Sequence, residues 1–300
     1  MKLIVADDVH PRYLEGLDPR VRVVRWAEGP PPPEAEDAEF LVATRAWMLP
    51  HLGALRGLEV VQTLSAGVDW IAEHVPPGVV LADGRGVHDV PVSEWVLTAL
   101  LVLAKDVPAL VERQRAGAWD REARPGELWG REVAVLGYGS IGRAVAARLA
   151  PFGVRVLPVA RCRRPGVETL QTREAWLARV DAVVLLLPLT RETRGLVDAG
   201  FLSAMKPGAW LVNAGRGALV DTSALLEALH AGRIRAALDV TDPEPLPPEH
   251  PLWRAPGAWI TPHLAGSSPR LRERGFALVR AQVARYLRGE PLLNRVVEGY

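Results

Sequence analysis

The sequence predicts an α/β protein made of two doubly wound parallel-sheet domains. Short runs rich in Val, Leu and Ile alternate with helix-like stretches, as buried parallel strands with crossover helices do. One long apolar helix divides these runs into two series. A chain of 300 residues has the length for two domains at about 100–200 residues each.

The first series reads "KLIVAD", "VRVVRW", "AEFLVAT", "LEVVQTLS" and "VVLADG", each closing at or near Gly, Pro, Ser or Asp. Between them, "GPPPPEAED" is neither helix nor central strand, because its prolines remove amide donors, and it is expected as a surface connection. A long helix begins near Pro91 and runs through "SEWVLTALLVLAKDV". A looser polar segment, "RQRAGAWDREARPGELWG", leads into the second series. That series opens on "VAVLG" and continues with "VRVLPV", "DAVVLLLP", "AWLVNAG", "AALDV" and "AWITP". The closing segment "LRERGFALVRAQVARYLRGE" has helical spacing, ends at Gly289 and is expected to pack with the first domain. The predicted division is therefore residues 1–92 with 269–300 in one domain and 93–268 in the other.

Composition excludes several classes of function. Hydrophobic residues make up 49% and charged residues 24%, with a net charge of +1, so no one-signed field points to nucleic acid or a membrane surface. The single cysteine, Cys162, forms no internal disulfide, and seven histidines make no ligand-spaced cluster, so no metal is expected. The start "MKLIVADDVH" lacks a signal-peptide pattern, and the stretch from Trp95 to Ala104 is about half of the roughly 20 residues that span a bilayer. A cytoplasmic protein is expected.

"VAVLGYGSIGRAVAARLAPFG" places Gly137, Gly139 and Gly142 in G-x-G-x-x-G spacing between a strand and a helix, with Ser140 and Ile141 inside the loop. Gly137 permits the tight turn, Gly139 lets a pyrophosphate approach the backbone, and Gly142 allows close helix–strand packing. The helix N-terminus then offers free amides to phosphate. Spacing and context together mark a Rossmann-type dinucleotide site; the plain alternative is a glycine-rich turn of any α/β protein.

The next strand ends at Val159, where such folds carry an acid for a ribose hydroxyl. Here Ala160 stands instead, followed by Arg161, Arg163 and Arg164. Alanine does not repel a 2′-phosphate, and guanidinium forks match phosphate geometry. Two charge-assisted bonds at about 1.5–3 kcal/mol each would give on the order of a hundredfold preference after desolvation. NADP is thus favoured over NAD, the alternative being a solvated arginine run on an edge loop.

Ligands of open α/β sheets sit beyond the carboxyl ends of the strands. Three strands of the second series deliver a candidate there: Arg216 after "AWLVNAG", Glu244 after "AALDV" and His263 after "AWIT". Histidine suits proton transfer near neutral pH, a neighbouring carboxylate orients it and favours imidazolium, and arginine grips a carboxylate bidentately. Singly, each has a plain reading: a structural histidine beside Pro262, a solvated acid in a proline-rich loop, an arginine that binds phosphate. Jointly they are the set required by hydride chemistry on a hydroxy acid.

The segments "LSAGVDWI", "ELWGREVAVLGYGSIG", "LPLTRETRGLV", "MKPGAWLVNAGRGALVD", "ALHAGRIRAALDVTDPEPLP", "HPLW" and "ITPHLAG" follow in order over nearly the whole chain. In these the sequence resembles the D-isomer-specific 2-hydroxyacid dehydrogenase family. The resemblance implies a flavodoxin-like substrate domain beside the cofactor domain, with the substrate between them. It implies Arg216 as the substrate-binding arginine, Glu244 as the partner of the histidine, and His263 as the acid/base. It also implies that Ser65, Ala66 and Gly67 hold the substrate carboxylate, that Asp239 faces the nicotinamide carboxamide, and that Pro188, Asn213, Ala214 and Gly215 line the cofactor. A homodimer through the cofactor domain is implied in the same way.

The missing acid at Ala160 is shared by the family's NADP-preferring reductases. An NADPH-preferring reductase of a small 2-oxo acid, glyoxylate or hydroxypyruvate, is therefore expected to give the D-2-hydroxy acid. Its alternatives are a D-3-phosphoglycerate dehydrogenase, for which the chain has no room for an appended regulatory domain, and a non-catalytic cofactor-sensing protein of the co-repressor type. A formate dehydrogenase is disfavoured by the acid at Glu244. Of lesser candidates, Asp89 is expected to cap the long helix with Ser93 and Glu94 in its first turn. Arg45 and Trp47 follow an early strand end and are expected to face the cleft from the first domain, while a substrate role is the minor reading of His88.

Overall fold

The computed structural model describes residues 1–162 and 164–297. In chain order the strands are β1 (Lys2–Ala6), β2 (Arg22–Trp26), β3 (Phe40–Ala43), β4 (Val60–Thr63), β5 (Val80–Ala82), β6 (Glu132–Leu136), β7 (Arg155–Val159), β8 (Ala182–Leu185), β9 (Ala209–Asn213), β10 (Ile234–Leu238) and β11 (Ala258–Ile260). The α-helices are α1 (Asp89–Lys105), α2 (Val107–Arg115), α3 (Ser140–Leu149), α4 (Ala199–Ala204), α5 (Thr222–His230) and α6 (Leu271–Leu287). The chain divides into two compact units, Met1–His88 with Ser268–Tyr300, and Asp89–Ser267. The first division falls where α1 begins, a few residues before the position read from the sequence, because the helix starts at Asp89.

The first unit holds a five-stranded sheet in the order β2-β1-β3-β4-β5, with every pair parallel. This is the flavodoxin-like order, with a switch point beside β1. The strands β3 and β4 are buried along their whole length; β3 reads as a continuous apolar run for that reason, while β4 buries the polar Gln62 and Thr63 beside two valines. The proline-rich segment forms only a short 3-10 turn, Pro33–Ala35, that buries Ala35.

Helix α6 returns to this unit and buries Phe276, Val279 and Val283 in its core. A buried glutamine pair fixes it there. Gln282 Nε2 donates to Gln62 Oε1 at 2.8 Å, and Gln282 Oε1 accepts from the Leu293 amide at 2.8 Å. Gln62 Nε2 in turn donates to the carbonyls of Thr63 and Asp83, at 2.7 and 2.9 Å.

The second unit holds a six-stranded parallel sheet in the order β11-β10-β9-β8-β6-β7. Alternate residues of each strand point to opposite faces. Val133 and Val135 of β6 pack with Val96 and Leu100 of α1 and Val145 and Leu149 of α3. Ala134 and Leu136 face the other way, towards Phe201 and Leu202 of α4 and Leu225 and Leu229 of α5. Helices thus cover both faces, which makes the sheet doubly wound.

The long helix expected from near Pro91 through Val107 is α1, which starts at Asp89 and stops at Lys105, and a second helix, α2, follows it. Asp106 adopts a left-handed conformation, φ 52°, and Pro108 sits in the first turn of the helix that follows. Pro108 lacks the amide that would continue the ladder onto Ala104, whose carbonyl accepts from the Gly126 amide at 2.8 Å instead, so the helix stops and restarts as α2. The polar segment after α2 has no regular structure and exposes Trp119 (86%) and Trp129 (76%). Among the described residues no helix is long and apolar enough to cross a membrane.

The glutamine pair makes a direct prediction. Gln282→Met keeps the volume but leaves the buried Gln62 Oε1 and the partly buried Leu293 amide without partners, at about 1–3 kcal/mol for each unmatched group. Denaturant unfolding is expected to show a loss of at least about 2 kcal/mol; a smaller change would mean that the tail is not fixed by this pair.

Candidate active site

The glycine loop occupies the switch point of the second sheet. From β6 the chain passes to β7 on one side, while β8 lies on the other. Gly137 has φ +100°, and a Cβ there would meet the Leu186 carbonyl oxygen at 2.5 Å, so only glycine permits the turn beside the end of β8. A Cβ on Gly142 would meet the Gly137 carbonyl oxygen at 2.5 Å, which presses α3 close to the strand. At Gly139, the residue capping α3, a Cβ would meet nothing among the described residues within 4 Å. The head of α3 is therefore open where a phosphate would need to approach the backbone, with Ser140 and Ile141 as its first residues.

Beyond β7, Ala160 is half-buried and its amide donates to the Glu168 carbonyl at 2.9 Å. Arg161, Cys162 and Arg164 are exposed, and Arg163 lies outside the described residues. Glu192, in the loop after β8, is held below the usual carboxylate range, first by a hydrogen bond from Thr190 and also by the charges of Arg191 and Arg161. That proximity brings the loop after β8 beside the arginine run. Pro188 of the same loop is exposed, and its carbonyl accepts from Thr193 Oγ1 at 2.7 Å.

Strands β9, β10 and β11 are adjacent and parallel, with Leu238 in register with both Asn213 and Ile260. Their carboxyl ends are level, so Arg216, Glu244 and His263 leave the same edge of the sheet from three neighbouring strands. The first two loops are in contact. A Cβ on Gly217 would meet the Thr241 carbonyl oxygen at 1.9 Å, pressing the residue after Arg216 against the segment that leads to Glu244. Asn213 is buried; its amide donates to the Arg216 carbonyl at 2.9 Å and its oxygen accepts from the Gly215 amide at 3.0 Å. Ala214 donates to the Leu185 carbonyl at 3.2 Å. Arg216 is half-buried, with Nη1 donating to the Gly215 carbonyl at 2.9 Å.

His263 and Glu244 meet directly, Nδ1 to Oε1 at 2.5 Å. A carboxylate only accepts, so Nδ1 carries the hydrogen and Nε2 is left for a reacting group. Both side chains are about half exposed, at 51% and 40%.

Asp239 holds the histidine loop in place. It is buried at the end of β10, and its Oδ1 accepts from Thr261 Oγ1 at 2.5 Å and from the Leu264 amide at 2.8 Å. Its Oδ2 accepts from the Ala265 amide at 2.8 Å. The Asp239 carbonyl accepts from the His263 amide at 2.7 Å, and His263 itself sits at φ 54°. A left-handed conformation is uncommon for a residue with a side chain, and it persists here because hydrogen bonds on both sides fix it. Thr261 is held in turn by Trp95 of α1, whose Nε1 donates to it at 3.0 Å while its ring stacks on Trp259. Sequence reasoning singled out neither Thr261 nor Trp95. Their signal was faint: a threonine just before the Pro-His pair, and a tryptophan in the apolar helix.

In the first unit, the β4 loop carries Ser65, Ala66 and Gly67. Ser65 Oγ donates to the Gly67 carbonyl at 3.0 Å and accepts from Trp70 Nε1 at 2.9 Å, so the turn is fixed by its own side chains. Arg45 pairs with Asp8, which also accepts from Arg272 at 2.9 Å. Trp47 sets its ring edge against Trp26. At the start of α1, Ser93 Oγ donates to the Val90 carbonyl at 3.0 Å, Glu94 is exposed, and the Asp89 carboxylate accepts from the Ser140 hydroxyl.

This geometry has close parallels. The NAD-binding domain of the D-isomer specific 2-hydroxyacid dehydrogenases matches residues 97–265. D-3-phosphoglycerate dehydrogenase of Mycobacterium bovis is 34% identical over 96% of this chain, which spans only 57% of that protein's length. Glyoxylate reductase of Thermofilum pendens is 34% identical over 82% of this chain and 78% of its own. A solved structure of the NADPH-dependent glyoxylate/hydroxypyruvate reductase of Sinorhizobium meliloti, in complex with NADP and sulfate, superposes with a TM-score of 0.81 at 29% identity, covering 98% of both chains. A glycine loop at the switch point, a histidine–carboxylate pair at level strand ends and likeness across almost the whole length agree: the chain belongs to the D-isomer specific 2-hydroxyacid dehydrogenase family.

Proposed function

We propose that the protein is an NADPH-preferring reductase of a small 2-oxo acid, with glyoxylate and hydroxypyruvate as its first candidates, and that it forms the D-2-hydroxy acid. The observation that carries this reading is the 2.5 Å contact between His263 Nδ1 and Glu244, on loops that leave the same sheet edge as Arg216. A binding protein without chemistry has no need of an oriented proton donor.

The residues fit a dinucleotide with a 2′-phosphate. Space opens at Gly139, where the pyrophosphate would lie against the head of α3. Ala160 brings no charge to the end of β7, and Arg161 and Arg164 are exposed beside it. The sequence assigns Arg163 to the same task. When bound, the nicotinamide supplies the hydride.

Everything else falls to the chain. Arg216 is suited to hold the substrate carboxylate through its guanidinium fork and to draw charge towards the carbonyl oxygen. The Ser65–Gly67 turn is the substrate-binding segment of the first unit. His263 gives its Nε2 proton to the oxygen as negative charge develops there, while Glu244 keeps the ring in the productive tautomer. Asp239, together with Asn213 to Gly215 and Pro188, shapes the cofactor side, Asp239 through the loop it holds.

D-3-phosphoglycerate dehydrogenase is the second reading, favoured by the 34% identity over 96% of the chain. Oxidation of reduced cofactor with glyoxylate, hydroxypyruvate and phosphohydroxypyruvate separates the two. A homodimer through the second unit is part of the proposal, since Trp119 and Trp129 leave large apolar side chains exposed there.

Three measurements test this reading. Steady-state kinetics are expected to show kcat/KM at least about tenfold higher with NADPH than with NADH, and the double variant R161A/R164A is expected to lose most of that preference through KM. Equal or better use of NADH by the wild type would defeat the arginine assignment. The variant H263A is expected to lose about 10²–10⁴ in turnover with cofactor affinity unchanged, and near-normal turnover would remove the histidine from the mechanism. Light scattering in solution is expected to give twice the 32.7 kDa chain mass; the single-chain mass would exclude the dimer.

A further inference from the structure

Asp89 takes no part in the chemistry above, yet its carboxylate stands against the glycine loop. It opens α1, and one oxygen, Oδ2, accepts from the hydroxyl of Ser140, the first residue of α3. Among the described residues, the other oxygen, Oδ1, is buried with no hydrogen-bond partner. A carboxylate accepts at both oxygens, and leaving one dry and unmatched costs stability.

The start of α1 offers only partial compensation through the helix field. The nearby hydroxyl of Ser93 is spent on the carbonyls of Asp89 and Val90 and leaves the carboxylate unaided. An uncharged polar residue would begin the helix and accept from Ser140 at lower cost. The charge therefore finds its explanation in what it faces, and it faces the head of α3.

There Gly139 leaves open space, and the first amides of the helix have no partners within it. A pyrophosphate taken at this place meets a like charge in a half-buried setting, where screening by solvent is weak. It also finds the Ser140 hydroxyl already engaged.

We propose that Asp89 limits cofactor affinity: its carboxylate opposes the pyrophosphate at the head of α3 and holds Ser140 away from it, so that the dinucleotide leaves between turnovers. The inference rests on the cofactor site proposed above and adds to it a residue whose removal strengthens binding.

Calorimetric titration of the full chain with NADPH tests this, alongside stopped-flow displacement of bound NADPH by excess NADP. D89N and D89S are expected to bind NADPH about tenfold more tightly and to release it correspondingly more slowly, with melting temperatures near that of the wild type. S140A keeps the charge and is expected to show no tightening, and D89E is expected to behave as the wild type. Unchanged or weaker binding in both neutral variants overturns the inference, as does equal tightening in S140A. A wild type that binds neither NADPH nor NADH removes the cofactor site itself. A wild type that binds, with neutral variants that do not differ from it, removes only the role of Asp89.

Discussion

The arrangement of the second unit's chemistry depends on one buried carboxylate. Asp239 accepts from the amides of Leu264 and Ala265 and from the Thr261 hydroxyl, and by doing so bends the chain through the left-handed conformation of His263. The imidazole thereby meets Glu244, although β11 has only three residues and ends just before the turn. A carboxylate with several donors is well matched in a dry setting, and it is stronger there than a neutral acceptor would be. Trp95 extends the support to α1, so the histidine loop is braced from the sheet and from a helix.

Close backbone approach is the second constraint. Gly137, Gly142 and Gly217 each stand where a side chain would collide with a carbonyl oxygen within 2.5 Å. The first two set the cofactor loop against β8 and α3, and the third sets the arginine turn against the chain that leads to Glu244. Level strand ends would bring these loops to one edge in any parallel sheet. The glycines close the remaining distance.

Much of this was legible in residue order alone. The alternation of apolar runs and breakers marks every strand, because parallel strands buried on both faces have few alternatives to Val, Leu and Ile. The glycine spacing and the polar residue after each of three strands could be read because they are local patterns. What escaped depends on distance or on dihedral angles. Gln62 and Gln282 are 220 residues apart, and nothing in either neighbourhood announces the other. The stop near Asp106 agrees with Pro108, whereas the second helix that follows, Val107–Arg115, was not read from the sequence. Asp239 was visible as an acid at a strand end, whereas its grip on the amides of Leu264 and Ala265 required coordinates. Asp89 was read as a helix cap, and its contact with Ser140 joins two helix starts 51 residues apart.

The return of α6 to the first sheet has a consequence for how the polypeptide acquires its structure. Asp89–Ser267 is a continuous stretch and can close its sheet from contacts within itself. The first unit is interrupted. Its β4 glutamine waits for a partner that leaves the ribosome more than two hundred residues later, and synthesis runs at about 5–20 residues per second. Loop closure across so long an insertion carries an entropic cost that grows with its length. The amino-terminal segment therefore spends the longest time without its full set of neighbours, and the inserted segment is the natural place for order to begin.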